Sequence, residues 1–293
     1  MRFDEPLVPA TLERRYKRFL ADMRLGAEGV VAAHCANPGS MLGLAQTGAA
    51  VLLSQRAARA TRRLRYTWEA ERCGRTWVCV NTARANQVAL EALRARRIRP
   101  LARYSIITPE VKVSAASRID FLLRGPAPDA FIEVKSVTLR IGAGALFPDA
   151  VTERGRRHLE ELARLARRGR RAVLLFLVMR DDCRWVGPAE QIDARYADTL
   201  RSASRQGVEV LAYAVRVSAR GLQLGRRLPV RIAGGRARPY GARRDTRGSA
   251  TPGGPLVSPR LARKRKIPAA TTARAIQSTP QKSGGRNSSR DIA

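Results

Sequence analysis

Two short apolar runs near the middle of the chain, residues 117–123 and 131–136, constrain its fold more than any other feature. The first reads Ser-Arg-Ile-Asp-Phe-Leu-Leu and the second Phe-Ile-Glu-Val-Lys-Ser. Both are rich in β-formers, and between them lies the breaker cluster Gly125-Pro126-Ala127-Pro128-Asp129, which cannot continue a strand. The pattern predicts an antiparallel hairpin. With its turn centred on Pro126 and Ala127, Asp120 faces Glu133, and strand alternation sets Lys135 on the same face as Glu133.

Facing side chains on paired strands have Cβ atoms roughly 5 Å apart, which lets two carboxylates hold one hard cation between them. Asp120 and Glu133 are therefore candidate ligands for Mg2+ or Mn2+, with Lys135 beside them to steady a metal-bound water or developing charge. That is the equipment of phosphodiester hydrolysis. The same spacing also fits a structural acid at 120 and a solvated edge at 133 and 135.

The rest of the chain bears on what such a site would act upon. Its 56 Lys and Arg stand against 24 Asp and Glu, a formal charge of +32, which calls for a polyanionic partner, DNA or RNA first. Arginine outnumbers lysine 50 to 6, as a GC-rich genome would give, but exchanging one for the other leaves the charge unchanged. Strand-like stretches at 16–25, 30–35, 49–54, 64–71 and 76–80 have the rhythm of a small barrel. A composition shift at Asn81 marks a domain boundary. Thr82 is placed to cap a helix running to about Arg97, a second helix spans 149–168, residues 172–178 form a buried strand, and a helix at 188–205 and a strand at 208–217 follow. This order predicts an α/β layer with a mixed sheet.

Residues 234–293 mix Gly, Pro, Ser and Thr with 14 basic residues and one aromatic, Tyr240, and read as a disordered basic tail. Cys35, Cys73, Cys79 and Cys183 form no CxxC pair, His34 and His158 are too few for a zinc centre, and neither a signal region nor a membrane span is visible. The expectation is a reduced, cytoplasmic protein that does not engage a membrane, with both histidines packed or on the surface.

Several motifs resemble the sugar fermentation stimulation protein A family over roughly residues 3–230. They include Arg15-Tyr16-Lys17-Arg18-Phe19-Leu20, Ala33-His34-Cys35-Ala36-Asn37-Pro38-Gly39-Ser40-Met41, Ser117-Arg118-Ile119-Asp120-Phe121, Ile132-Glu133-Val134-Lys135-Ser136-Val137-Thr138-Leu139 and Phe147-Pro148-Asp149-Ala150-Val151-Thr152. The resemblance implies a DNA-binding protein linked to sugar, especially maltose, metabolism. It implies an N-terminal OB-like β-barrel over residues 1–80 and a PD-(D/E)xK nuclease-like α/β domain with a mixed sheet over 81–233. This chain departs from the family pattern at Ala36 and Pro38, where Pro and Thr are usual, and at Met179, where a Gln that can touch the site is usual.

With the resemblance added, the Val134 carbonyl joins Asp120 and Glu133 as a third metal ligand, and Glu91 matches the place where many nuclease-like folds supply another acid, although it also reads as a surface partner of Arg94. Glu110 is a surface acid or a neighbour of the site. Arg15, Tyr16, Lys17 and Arg18 interleave bases with an aromatic ring, as single-strand binders do, and with Arg118, Arg154 and Arg157 they are the candidate DNA contacts. For the rings Tyr16 and Phe19 the plainer expectation is the barrel core. Two functions remain open: a divalent-metal-dependent DNA phosphodiesterase, and a noncatalytic, largely nonspecific DNA-binding regulator of sugar metabolism. An RNA-binding accessory factor is a third.

Overall fold

The computed structural model describes residues 1–55, 64–114 and 117–232; the tail read from the sequence at 234–293 lies outside the described residues. The N-terminal strands are β1 (Val8–Tyr16), β2 (Leu20–Leu25), β3 (Gly29–His34), β4 (Ala50–Gln55), β5 (Tyr66–Cys73) and β6 (Thr76–Cys79). They pair in the order β3-β2-β1-β4-β5-β6, and a parallel pairing of Ala33 with Tyr66 and His34 with Thr67 closes the first five into an OB barrel. Leu12, Met23, Leu53 and Trp68 fill its interior. The stretch 16–25, expected as one strand, is instead a hairpin. Lys17 and Arg18 adopt left-handed backbone (φ 47° and 62°), which reverses the chain and throws Phe19 outward, 46% exposed, rather than into the core.

The second half comprises α1 (Ala83–Arg94), β7 (Ile106–Lys112), β8 (Arg118–Arg124), β9 (Ala130–Val137), β10 (Arg140–Ile141), β11 (Gly144–Phe147), α2 (Glu153–Arg167), β12 (Arg171–Val178), β13 (Trp185–Pro188), α3 (Ala194–Arg205), β14 (Glu209–Ser218) and β15 (Gly221–Arg227). Its main sheet runs β15-β14-β12-β9-β8-β7, with β14, β12 and β9 parallel and the other neighbours antiparallel, so the sheet is mixed as expected. β12 is apolar throughout because it is covered on both faces. Val173, Leu175 and Leu177 pack with α1, while Leu174, Phe176 and Val178 pack with α2 and α3. Among the described residues no helix is long and apolar enough to cross a membrane.

Several boundaries differ from the sequence reading for local reasons. α2 begins at Glu153, because the extended Thr152 caps it by accepting the Gly155 N–H (3.0 Å), and α3 begins at Ala194 behind the cap of Asp193. The residues ahead of α3 include β13, part of a small sheet β10-β11-β13 whose two- and four-residue strands are too short to carry a pattern. Thr82 does not cap α1 with its side chain. Its hydroxyl donates to the Ala36 carbonyl (2.9 Å), and the Asn81 carboxamide oxygen accepts the Ala83 N–H instead (3.2 Å).

α1 is fastened to the barrel through one buried acid. Glu69 on β5, fully buried, accepts from Arg84 Nε (2.9 Å) and Nη2 (2.6 Å), from Asn81 Nδ2 (3.0 Å) and from Ser54 Oγ (2.7 Å). Removing one partner of such a pair strands the other charge in the interior, so Glu69→Gln should lower the unfolding free energy by about 3 kcal/mol in urea titration. The neighbouring acid Glu71 has weaker compensation. Burial pushes its carboxyl up, and the Ala45 and Gln46 amides pull it back only in part. The folded state therefore binds this proton more tightly than the unfolded chain, and the corresponding stability is present at low pH and lost as pH rises through the folded pKa. Glu71→Gln should accordingly show a higher Tm than the parent at pH 7, with the gap closing below about pH 4, where the carboxyl is protonated in both states.

Candidate active site

The β8–β9 ladder pairs Phe121 with Ile132, Leu122 with Phe131 and Leu123 with Ala130, and the same register carried one residue further sets Asp120 opposite Glu133. At that point a carboxylate replaces the ladder, for Asp120 Oδ2 accepts the Val134 N–H (2.7 Å). Oδ1 of the same group accepts Asn86 Nδ2 from α1 (2.8 Å). Glu133 is nearly inaccessible. Its Oε1 accepts from Lys135 Nζ (2.5 Å) and meets His158 Nδ1 from α2, while its Oε2 is buried without a partner among the described residues.

The two acids are driven apart. Burial, then the Glu133 charge, pushes the Asp120 carboxyl above its usual range, against the pull of the Val134 amide and Asn86. Burial pushes Glu133 up as well, but the His158 hydrogen bond and the Lys135 charge outweigh it and hold that carboxyl low. An orphaned, buried carboxylate oxygen beside a second acid that resists ionisation is an environment a divalent cation would satisfy, and donors that are all oxygen select a hard one, Mg2+, Mn2+ or Ca2+. Among the described residues no group of three or more His, Cys, Asp or Glu is arranged to hold a metal, so remaining ligands would come from backbone carbonyls, Val134 included, and water.

Two cavities meet at this pair and share Asp120, Arg154 and His158 in their walls. One is a groove of about 930 Å³ whose walls carry Lys112, Arg118, Arg157, Arg164 and Arg167. The other, of about 450 Å³, is walled on one side by Arg18, Asn37, Pro38 and Gly39 of the barrel and on the other by Glu133, Lys135 and Thr152. The barrel loop is held over the site by Asp149, which accepts the Met41 N–H (2.8 Å) and whose main-chain carbonyl takes the Ser40 hydroxyl. A Cβ at Gly39 would stand 2.7 Å from both Asp149 carboxylate oxygens, so only glycine permits this approach.

The structure thus brings together Asp120, Glu133, Val134 and Lys135, and puts Arg118, Arg154 and Arg157 along one groove and Arg18 at the rim of the other. Lys17 is exposed on the β1–β2 turn. Glu91 is a correction. It lines neither cavity, and its half-exposed carboxylate pairs with the Met1 ammonium (2.6 Å) instead. Arg15 is another, since its Nη2 is drawn inward onto the carbonyls of Arg18, Asn37 and Gly39 (3.0, 2.9 and 3.0 Å) and shapes the loop instead of presenting charge. Tyr16 lies half-buried under Arg14, its hydroxyl donating to Asp22 (2.9 Å). Glu110 is an exposed acid in the wall of the basic groove, with left-handed backbone (φ 54°), and Met179 is buried in the sheet core outside both cavities.

Asn86 and His158 were missed as site residues, His158 having been expected only as a packed or surface group. Each falls on its helix's inward stripe, Asn86 three and seven residues before Ala89 and Leu93, and His158 four and seven before Leu162 and Leu165. A polar residue on an apolar stripe was the available signal.

Residues 14–80 match a family model described as the N-terminal OB domain of the sugar fermentation stimulation proteins, and residues 83–221 one described as the sugar fermentation stimulation protein RE domain. The sugar fermentation stimulation protein homolog of Nitrosococcus oceani is 49% identical over 236 residues, covering 79% of this chain and 100% of the relative. The homolog of Pelobacter propionicus is 48% identical, covering 77% and 97%. Among solved structures, that of SfsA from Pyrococcus furiosus in complex with Ca2+ superposes with a TM-score of 0.72 at 27% identity, covering 79% of this chain and 98% of that one.

Because Asp149 is the anchor of the loop, Asp149→Ala should leave the buried Met41 amide unpaired, cost about 1–3 kcal/mol, and accelerate hydrogen exchange at Met41 ahead of global unfolding.

Proposed function

The chain belongs to the sugar fermentation stimulation protein family, and from that premise we propose that it is a DNA-binding protein that hydrolyses phosphodiesters with a divalent cation at Asp120 and Glu133. The observation that carries the reading is the buried Glu133 Oε2, without a hydrogen-bond partner among the described residues, next to an acid whose ionisation burial and Glu133 both oppose. The calcium ion in the complex of the P. furiosus relative supports a hard-cation site of this kind.

A bound Mg2+ or Mn2+ would there neutralise a phosphodiester oxygen and lower the pKa of a water. The protein's own groups supply the rest. Val134 N–H and Asn86 aim the Asp120 carboxylate, and Lys135 holds an ammonium at the site edge where negative charge develops. Arg118, Arg154 and Arg157 line the groove through which a phosphate backbone approaches, and Arg18 adds charge from the barrel rim. We assign residues 1–80 to nucleic-acid grip and 81–233 to hydrolysis. The cysteines among the described residues are all free, which fits a reducing, cytoplasmic setting.

A second reading, a noncatalytic DNA-binding regulator of sugar (maltose) metabolism, is favoured by the scarcity of side-chain ligands, two carboxylates with no third among the described residues. Plasmid incubated with the protein and Mg2+, and in parallel with chelator, separates the two. Cleavage only with the ion is expected, and intact plasmid in both would favour the regulator. Asp120→Ala and Glu133→Ala should each abolish the Mg2+-dependent cleavage while retaining DNA binding. Arg118→Ala and Arg157→Ala should instead weaken binding to all sequences alike and each flatten the slope of log K against log salt by about 0.9.

A further inference from the structure

We propose that His158 is a positioning residue which, with Lys135, ties down Oε1 of Glu133 so that a cation takes Oε2 alone. The inference rests on the reading of Asp120 and Glu133 as a divalent-cation site. It extends that reading to a residue outside the ligand set and to a denticity.

Arg154, one helical turn before His158, places its Nε 3.3 Å from His158 Nε2. A guanidinium can only donate, so Nε2 accepts and Nδ1 is the ring nitrogen that carries the proton. Nδ1 faces Glu133 Oε1. Lys135 Nζ reaches the same oxygen (2.5 Å) from along the strand and stands 3.3 Å from Nδ1. Nδ1–H and Nζ are both donors, so they converge on Oε1 rather than bond to each other. The ring cannot easily leave. It is buried on α2, whose first turn is fixed by the Thr152 cap and packed against Tyr196 at Gly155, where a Cβ would stand 3.2 Å from the tyrosine ring.

Glu133 is therefore asymmetric before any ion arrives. One oxygen has two donors and the other, among the described residues, is buried with none, a costly state for a charged group. A carboxylate pinned at Oε1 cannot swing to chelate through both oxygens. Oε2 is left as a single, oriented ligand beside Asp120, and holding it in that orientation without a metal present reduces the ordering cost of binding.

The test uses the full chain, Mn2+ affinity by calorimetry at one pH, and two isosteric variants. An asparagine amide nitrogen takes the place of Nδ1 and a glutamine amide nitrogen that of Nε2. His158→Asn should keep an affinity close to the parent's, and His158→Gln should bind Mn2+ about 10- to 100-fold more weakly with its fold intact by circular dichroism. Equal affinities in both variants, or equal losses in both, would overturn the assignment and leave His158 a packing residue. A second check reads the ligation mode in the unmutated protein, with Glu133→Gln serving only to assign its bands. On adding Ca2+, the carboxylate infrared bands missing from Glu133→Gln should show the wide separation of single-oxygen ligation; the narrow separation of two-oxygen ligation would refute the proposal. If the parent binds neither ion, the cation reading itself fails and this inference falls with it, an outcome distinct from parental binding that the variants do not alter.

Discussion

Every acid that this fold buries must be met by donors, and the way that need is met sets the geometry of the whole. Glu69 is the first case. Its carboxylate sits inside the barrel wall and is satisfied by Arg84, Asn81 and Ser54, so the start of α1 is placed relative to the barrel by charge neutralisation rather than by apolar contact alone. Two residues after Arg84, on the helix so placed, Asn86 reaches Asp120. The position of the candidate ligand therefore depends on a pairing in the other domain, and a change at Glu69 can be felt at Asp120 through α1.

The hairpin acids repeat the theme with a different outcome. Asp120 and Glu133 are neighbours across one ladder, yet burial and the Glu133 charge raise Asp120, whereas His158 and Lys135 hold Glu133 low despite its burial. Two like charges at close quarters cannot both be comfortable without a counter-charge, and Lys135 pairs directly with Glu133 while pulling on Asp120 too weakly to offset burial. The imbalance is what distinguishes this pair from Glu69. There every oxygen is satisfied and the role is structural; here an oxygen is left over.

How much of this the sequence carried depends on the range of each signal. The hairpin register was legible because the breaker cluster at 125–129 and strand alternation are local, and they placed Asp120, Glu133 and Lys135 together. The barrel and the buried strand β12 were legible for the same reason. Glu91 was misjudged because helical position alone does not say which face meets the sheet, and Asn86, five residues earlier, is the one that does. Arg15 was misjudged because its partners are main-chain carbonyls of a loop more than twenty residues away, which no spacing rule reports. β15 and the small sheet β10-β11-β13 escaped because short or polar strands take their identity from neighbours across the fold.

The charge of the chain shows the same limit. A net +32 reads as one large affinity for polyanions, but several arginines are already committed. Arg84 is bound to Glu69, Arg171 to Glu209 and Arg180 to Asp182, each through two nitrogens, and Arg15 is bound to carbonyls. These contribute rigidity more than field. Among the described residues the exposed charge is unevenly placed, with Arg118, Arg157 and Arg154, the last engaging His158 through Nε, along one groove that reaches Asp120. A phosphate backbone drawn to that line of charge would be led toward Asp120 and its buried neighbour Glu133. Repulsion between those acids and a phosphate would oppose close approach there unless a divalent cation lay between them, which is a physical reason for a basic protein to keep Asp120 and Glu133 at the end of a basic groove.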